Sequence, residues 1–412
     1  MKRYFKVLVA ALFVLALCAL PAFAEKEEKP IKIGVLATLT GAFAELGQDS
    51  VDGVKLAMEE VDYEIAGRPV KLFIEDTAAT PTLAVDKCRA LINRDGCQIV
   101  LGPLSGAEGL AIKKSADEWP NATIIVAASA AEDVCRRGIK PNIWRTSFSG
   151  DQPMFPLGIY AYEKGYRKVI TIGEDYAFPY AHVGGFLKAF CEKGGCVVEK
   201  YWVPIGTSDY ASIITDMPKD ADCIYLSLSG SDVISFLTQM DKFGMMGKYE
   251  IFGGATSIDA GTLTTMGKVV DGIISGSIWT GEIDSEAFRS LDKRYGELRG
   301  RPIGLFAGLY YRAAKVAQMA IEKAGGNVED QEAFRKALGS VDYQGAVSRI
   351  TFDKYQQANM DVFINEVRFV NGEWRNVIIE TYPQVSQFWT YDPEEFQKQP
   401  SYSRDFPDCP CR

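Results

Sequence analysis

Ile31-Lys-Ile-Gly-Val-Leu36 is a short apolar run that reads as a buried strand, and the segment behind it, Gln48 to Val61, carries Val51, Val54, Leu56 and Ala57 at helical spacing. The same pairing recurs outward from it. Val70–Ile74 predicts a strand and Thr82–Asn93 a helix; Cys97–Leu101 predicts a strand, Glu108–Trp119 a helix and Thr123–Val126 a strand. Strands alternating with helices of this length indicate βαβ units around a parallel sheet. After the stretch Trp144-Arg-Thr-Ser-Phe-Ser149 a fresh series begins. It predicts a helix ending at Lys164, then strand Lys168–Ile172, helix Ala181–Glu192, strand Val197–Val203, helix Tyr210–Asp216, strand Cys223–Leu228, helix Val233–Lys242 and strand Tyr249–Phe252. Two α/β lobes follow from this reading.

Beyond residue 275 come a long helix, Leu305–Ala324, a shorter one, Gln331–Leu338, and strand patterns at Ile350–Phe352, Val362–Val370 and Val377–Tyr382. This remainder is too short for a third core, so its elements must rejoin the lobes already begun. The chain then crosses between lobes several times, and the crossings together make a hinge. Ligands of open α/β sheets bind beyond the carboxyl ends of the strands, so two facing lobes create a cleft lined by strand-end loops.

The length of 412 residues agrees, because single cores stop growing at roughly 250–300. With 47% hydrophobic and 24% charged residues the chain has the profile of an ordinary globular protein. Lys2, Arg3 and Lys6 precede an apolar run from Val7 to Leu20 that ends in Ala22-Phe23-Ala24, the pattern of a secretory signal peptide (1–24) cleaved after Ala24. No later run is apolar and long enough for a membrane helix. The expectation is an exported chain that does not span the membrane. A formal net charge of −9, more acidic still without the leader, argues against nucleic acid as a partner. Eight cysteines remain after Cys18 leaves with the leader. Cys191 and Cys196 bracket a tight turn and are expected within bridging distance, whereas Cys409 and Cys411 would pin the tail to the body, with Cys135 as a candidate partner. Cys223 lies in an apolar strand pattern and is expected as a small buried hydrophobe.

Catalytic chemistry is poorly supplied. His182 is the one histidine, expected on a helix surface, and no GxSxG elbow, HExxH or phosphate loop occurs. No metal and no cofactor are therefore expected. The strand-end loops offer instead Gly102-Pro-Leu-Ser-Gly106 and Ala127-Ala-Ser-Ala-Ala131, each opening a helix whose free N–H groups suit an anion. Tyr176, Phe178, Tyr180, Trp279 and Phe306 lie in loops or helix starts of both lobes, where rings would wall a cleft.

Ile31–Gly47, Leu101–Gly106, Asp175–Tyr180 and Leu228–Asp232 resemble the corresponding stretches of the Leu/Ile/Val-binding family of type I periplasmic binding proteins, and the similarity covers nearly all of the mature chain. The resemblance implies an α/β fold of two Rossmann-like lobes joined by a three-strand hinge, a Venus-flytrap, that closes on a small-molecule ligand in the periplasm and delivers it to an ABC permease. The expected lobes are 25–147 plus 278–352 and 148–277 plus 353–392, with 393–412 as a tail. The expected ligand contacts are Ser105, Gly106, Ala128, Ser129, Ala130, Tyr180, Ser229, Ala255 and Phe306, with Phe178 and Trp279 as further walls. Amino-acid binders of the family usually carry Ser or Thr where this chain has Gly106, a hydroxyl where Ala130 falls, and an acid after the strand ending at Phe252. Here that segment is Gly253-Gly-Ala-Thr-Ser-Ile258, leaving Asp259, Glu174 and Asp175 as the acids within reach of an ammonium. An unpaired buried ammonium costs several kcal/mol. The expected ligand is thus a small hydrophobic or aromatic carboxylate. A branched-chain amino acid is the alternative, a receptor for a membrane signalling partner a second, and an exported enzyme a third.

Overall fold

The computed structural model describes residues 29–41 and 43–411; the leader and its cleavage point lie outside them. Ile31–Ala37 (β1), Glu64–Ile65 (β2), Arg68–Asp76 (β3), Ile99–Leu101 (β4), Thr123–Val126 (β5) and Ile143–Arg145 (β6) form one sheet in the order β2-β3-β1-β4-β5-β6. Every pairing is parallel except β2 with β3. β1 is apolar at nearly every position because both faces of its sheet are covered. Helix α1 (Ala44–Glu59) covers one face, and α2 (Pro81–Arg89) and α3 (Gly106–Ser115) cover the other.

The second sheet holds Lys168–Glu174 (β7), Cys196–Val203 (β8), Cys223–Ser227 (β9), Glu250–Gly254 (β10), Ile274–Ser277 (β11), Tyr343–Gln344 (β12), Arg349–Phe352 (β13) and Ala358–Val370 (β14), in the order β12-β13-β14-β11-β10-β9-β7-β8. Glu373–Val385 (β15) pairs with β14 as an antiparallel hairpin. Helices Met154–Glu163 (α4) and Ala177–Lys193 (α5) cover one face; Ala211–Asp216 (α6), Ser231–Lys242 (α7) and Ala260–Met266 (α8) cover the other.

Between β11 and β12 the chain returns to the first lobe through Glu286–Arg299 (α9), Leu305–Lys323 (α10) and Gln331–Gly339 (α11). Helix α10 lies against α1 so closely that a Cβ on Gly53 would fall 2.1 Å from the Ala307 carbonyl oxygen. The Tyr310 hydroxyl donates to Leu36 O at 2.7 Å, locking α10 onto β1. This places the N-terminus of α10 at the carboxyl end of the first sheet, facing the cleft.

The crossings are tied by buried polar groups. Arg145 N donates to Gln356 O at 3.0 Å, Gln357 Nε2 to Ser147 O at 2.7 Å, and Gln152 Nε2 to Val385 O at 2.7 Å. Without these side chains the crossing strands would bury unpaired carbonyls, a loss of about 1–3 kcal/mol each.

The tail is bound to the second lobe through cysteines, in a pairing the sequence did not indicate. Cys191 bonds Cys409 and Cys196 bonds Cys411, so the turn 191–196 is not itself bridged, and Cys135 is a free buried thiol. Cys223 is free and buried in β9, as its pattern indicates. Val197 N donates to Cys409 O at 2.9 Å and Cys411 N to Val197 O at 3.0 Å, adding a short parallel bridge to the outer edge of β8. Upstream, the tail is held by the first lobe. Arg137 donates to Gln399 O at 2.9 Å and Gln397 O at 3.1 Å, and Tyr402 N donates to Glu132 Oε1 at 2.7 Å.

Candidate ligand-binding site

A cavity, about 420 Å³ with its open mouth included, lies where the strand ends of the two sheets face each other. The first lobe contributes Phe43 and Leu46 around the start of α1, Leu104, Ser105 and Gly106 at the start of α3, Ala128 and Ala130 after β5, and Leu305, Phe306 and Leu309 at the start of α10. Phe148 enters from the first crossing, and Tyr176, Phe178, Ser229 and Thr256 come from the second lobe. Five aromatic rings thus share a lining that contains no acid or base among the described residues.

Ser105 is the N-cap of α3. Its Oγ accepts from Glu108 N at 3.4 Å, while Glu108 Oε2 accepts from Ser105 N at 2.7 Å, a reciprocal capping box. The first-turn amides of Gly106 and Ala107 remain as donors toward the cavity. Burial pushes the Glu108 carboxyl above the usual carboxylate range, so the anion already at this terminus is held toward its neutral form. Gly106 is a point of closest approach between lobes. A Cβ there would lie 3.1 Å from Phe178 Cβ and 3.2 Å from Ala131 Cβ. A Ser or Thr there would press on the second-lobe phenylalanine and on Ala131, which would have to give by a few tenths of an ångström.

Of the residues expected from the sequence, Ser105, Gly106, Ala128, Ala130, Phe178, Ser229 and Phe306 lie together around the cavity. Four expected contacts are placed elsewhere. Ser129 is fully buried behind the loop, its Oγ 3.5 Å from Gly106 O and packed over Gly109. Tyr180 turns outward, its hydroxyl on Asp175 and its ring edge-on to Trp202 at 4.9 Å. Ala255 packs into the core beside the turn, and Trp279 lies flat over Gly308 with its Nε1 3.4 Å from Ile303 O. Phe43, Phe148 and Thr256 join the lining although nothing in the sequence singled them out as contacts.

Asp175 and Asp259 near the site are engaged, and Glu174 is held through one carboxylate oxygen. Glu174 Oε1 accepts from Ser229 N at 2.9 Å and its carboxyl meets the Tyr176 hydroxyl, while burial pushes its pKa up to about 8. Asp175 binds Arg404 at 2.8 Å. Asp259, in the second lobe, accepts from Leu305 N at 2.8 Å, at the first turn of α10. Because the N-cap of α10 is Gly304, which has no side chain, the opposite lobe supplies the cap. His182, expected on a surface, is fully buried on α5 behind Phe178, ring centroids 4.8 Å apart. Its Nδ1 lies 3.0 Å from Ser227 Oγ, and burial holds its pKa down at about 3. Among the described residues no cluster of acids, cysteines or histidine suits a metal, and no helix is long and apolar enough to cross a membrane.

Two α/β lobes, tied by crossings and facing each other across a pocket at their strand ends, define a two-lobed solute receptor of the type I architecture. The chain belongs to the periplasmic binding protein family, whose model matches residues 30–373. It is similar to Leu/Ile/Val-binding protein homolog 6 of Brucella melitensis, 23% identical over 390 residues that cover 92% of this chain and 97% of the relative. Among solved structures it resembles an ABC transporter substrate-binding protein from Sphaerobacter thermophilus, with a TM-score of 0.82 and 27% identity over 87% of this chain and 99% of that one. A solute-binding protein of an ABC transporter from Rhodopseudomonas palustris, in complex with 3,4-dihydroxybenzoic acid, superposes with a TM-score of 0.83 at 24% identity, again over 87% and 99% of the two chains.

Proposed function

We propose that the protein captures a small hydrophobic or aromatic carboxylate outside the cytoplasm, after export by its leader, and delivers it to an ABC permease. The observation that carries this reading is the lining: five aromatic rings and apolar side chains, hydroxyls from both lobes, and no carboxylate within it to meet an ammonium, the nearby Glu174 being pushed toward its neutral form by burial. An α-amino group enclosed there would go unpaired, a cost of several kcal/mol. A carboxylate has a place on the amides of Gly106 and Ala107 and the Ser105 hydroxyl, aided by the α3 dipole. The body of the ligand then lies among Phe43, Phe148, Phe178 and Phe306. In this reading the lobes, 25–147 with 278–352 and 148–277 with 353–392, move as two bodies about the crossings, with β12 and β13 carrying the end of the first body into the second sheet, and the permease reads their closed arrangement. The protein acts as a carrier and not as an enzyme, since its one histidine is neutral and sits behind Phe178, out of the cavity. The relative in complex with an aromatic acid supports the ligand class; the relatives named for leucine, isoleucine and valine support the amino-acid alternative.

Isothermal titration calorimetry separates the two. Benzoate and 4-methylpentanoate are expected to bind, with phenylalanine and leucine at least about a hundredfold weaker, as several kcal/mol of unpaired charge demands. Tight binding of leucine with both simple acids inert would overturn the proposal in favour of the amino-acid receptor.

A further inference from the structure

The turn after β10 presents one side chain to the cavity. Ala255 packs into the core, and Ser257 is committed to the protein, its Oγ donating within hydrogen-bond reach of Leu228 O at 2.7 Å and Leu226 O at 3.2 Å. Thr256, between them, lines the cavity, is 8% exposed, and its Oγ1 has no protein partner. A hydroxyl shielded from bulk water and left unpaired is costly, and native proteins pair such groups. Its backbone is fixed, since Ser257 N and Ile258 N both donate to Gly254 O, at 3.0 and 3.3 Å. Ser229 lines the same second-lobe wall, on a loop held by the hydrogen bond that its backbone N–H donates to Glu174 Oε1. The carboxylate donors at Ser105 and Gly106 stand on the opposite lobe.

We propose that Thr256 is a specificity-determining residue that hydrogen-bonds a neutral hydroxyl carried on the ligand at the end away from its carboxylate. This rests on the carboxylate reading above and names its substrate class more closely: a hydroxy-substituted monocarboxylic acid with an apolar or aromatic body. A second charged group is disfavoured at this wall because no described lining residue is charged. A site built to pair a ligand hydroxyl discriminates against the analogue lacking it, because the protein group is then left buried and unpaired.

The test is calorimetry with matched probes: benzoate, 3- and 4-hydroxybenzoate, and 3- and 4-methylbenzoate. The unmodified protein is expected to favour one hydroxybenzoate over the methylbenzoate of the same substitution by about tenfold. Thr256→Val, nearly the same shape, should erase that preference, and Thr256→Ser should keep it. Melting curves confirm that each variant is folded. A preference that survives Thr256→Val, or a methyl group favoured at both positions by the unmodified protein, would overturn the role of Thr256 and leave the carboxylate reading standing. If neither these five acids nor 4-methylpentanoate binds the unmodified protein, both readings fall.

Discussion

His182 and Glu174 are buried in the second lobe within a few residues of the cavity wall, and each is held away from its ordinary charge state. Burial lowers the His182 pKa from 6.5 to about 3, so the folded protein resists its protonation. The stability it contributes is complete above about pH 6.5 and is lost as pH falls toward 3. Burial raises Glu174 from 4.5 to about 8, which works in the other direction: its contribution is complete below about pH 4.5 and is lost as pH rises toward 8. Melting temperatures between pH 4.5 and 8 should therefore fall less steeply toward acid in His182→Gln, and less steeply toward alkali in Glu174→Gln, than in the unmodified protein. Parallel curves for all three proteins would count against these assignments. The same neighbourhood shows how far single residues were legible. Loops after strands identify Ser105, Gly106, Ala128 and Ala130, because in an α/β sheet position along the chain fixes which end of the strand a loop occupies, whereas Ser229 was implied by the family resemblance alone. Side-chain direction inside a turn has no such rule. Thr256 and its neighbour Ala255 therefore exchange roles, and Tyr180, on the first turns of α5, faces Trp202. His182 shows no periodic signal either, since both sides of α5 are packed: one against α4 and the sheet, the other against Tyr402 of the tail.

Most elements with a strong period were legible, the fourteen-residue α9 with its buried Phe288, Leu291 and Tyr295 being missed, and short or small-residue ones were not. The helix predicted at 305–324 is observed at Leu305–Lys323, and the strand predicted at 197–203 at Cys196–Val203. Missed were β6, only three residues long, and β11, whose Ile-Ser-Gly-Ser holds a single large apolar residue and is recruited by its neighbours β10 and β14. The tail could not be placed from local pattern, for its partners lie 218 and 215 residues away. It closes the edge of β8, where unpaired strand groups would otherwise face solvent. Peptide mapping without reduction should recover two cross-linked pairs, Cys191 with Cys409 and Cys196 with Cys411, and no peptide joining Cys191 to Cys196. The double variant Cys409→Ser, Cys411→Ser should lose about 3 kcal/mol of stability, since both bonds close nearly the same long loop and their effects do not add. Recovery of both tail thiols free from oxidised protein would contradict the arrangement.

On the scale of the whole molecule, the two lobes and the cleft between them were legible because alternation of strands and helices fixes layer architecture. How the lobes touch was not, since it depends on pairs from opposite halves such as Asp259 with the Leu305 amide and Phe178 with Gly106. If the lobes close on ligand, solution scattering should show a smaller radius of gyration with benzoate bound than without it, and an unchanged curve at saturation would refute the clamp. Asp259→Ala removes a helix cap supplied across the cleft, an interaction of about 1 kcal/mol. The variant should bind every accepted acid several-fold more weakly while preserving their order of affinity. That constancy has a consequence for what the cell gains. A bond between the lobes that involves no ligand atom lends the same free energy to closure around each occupant, so a modest acid needs fewer contacts of its own to be held.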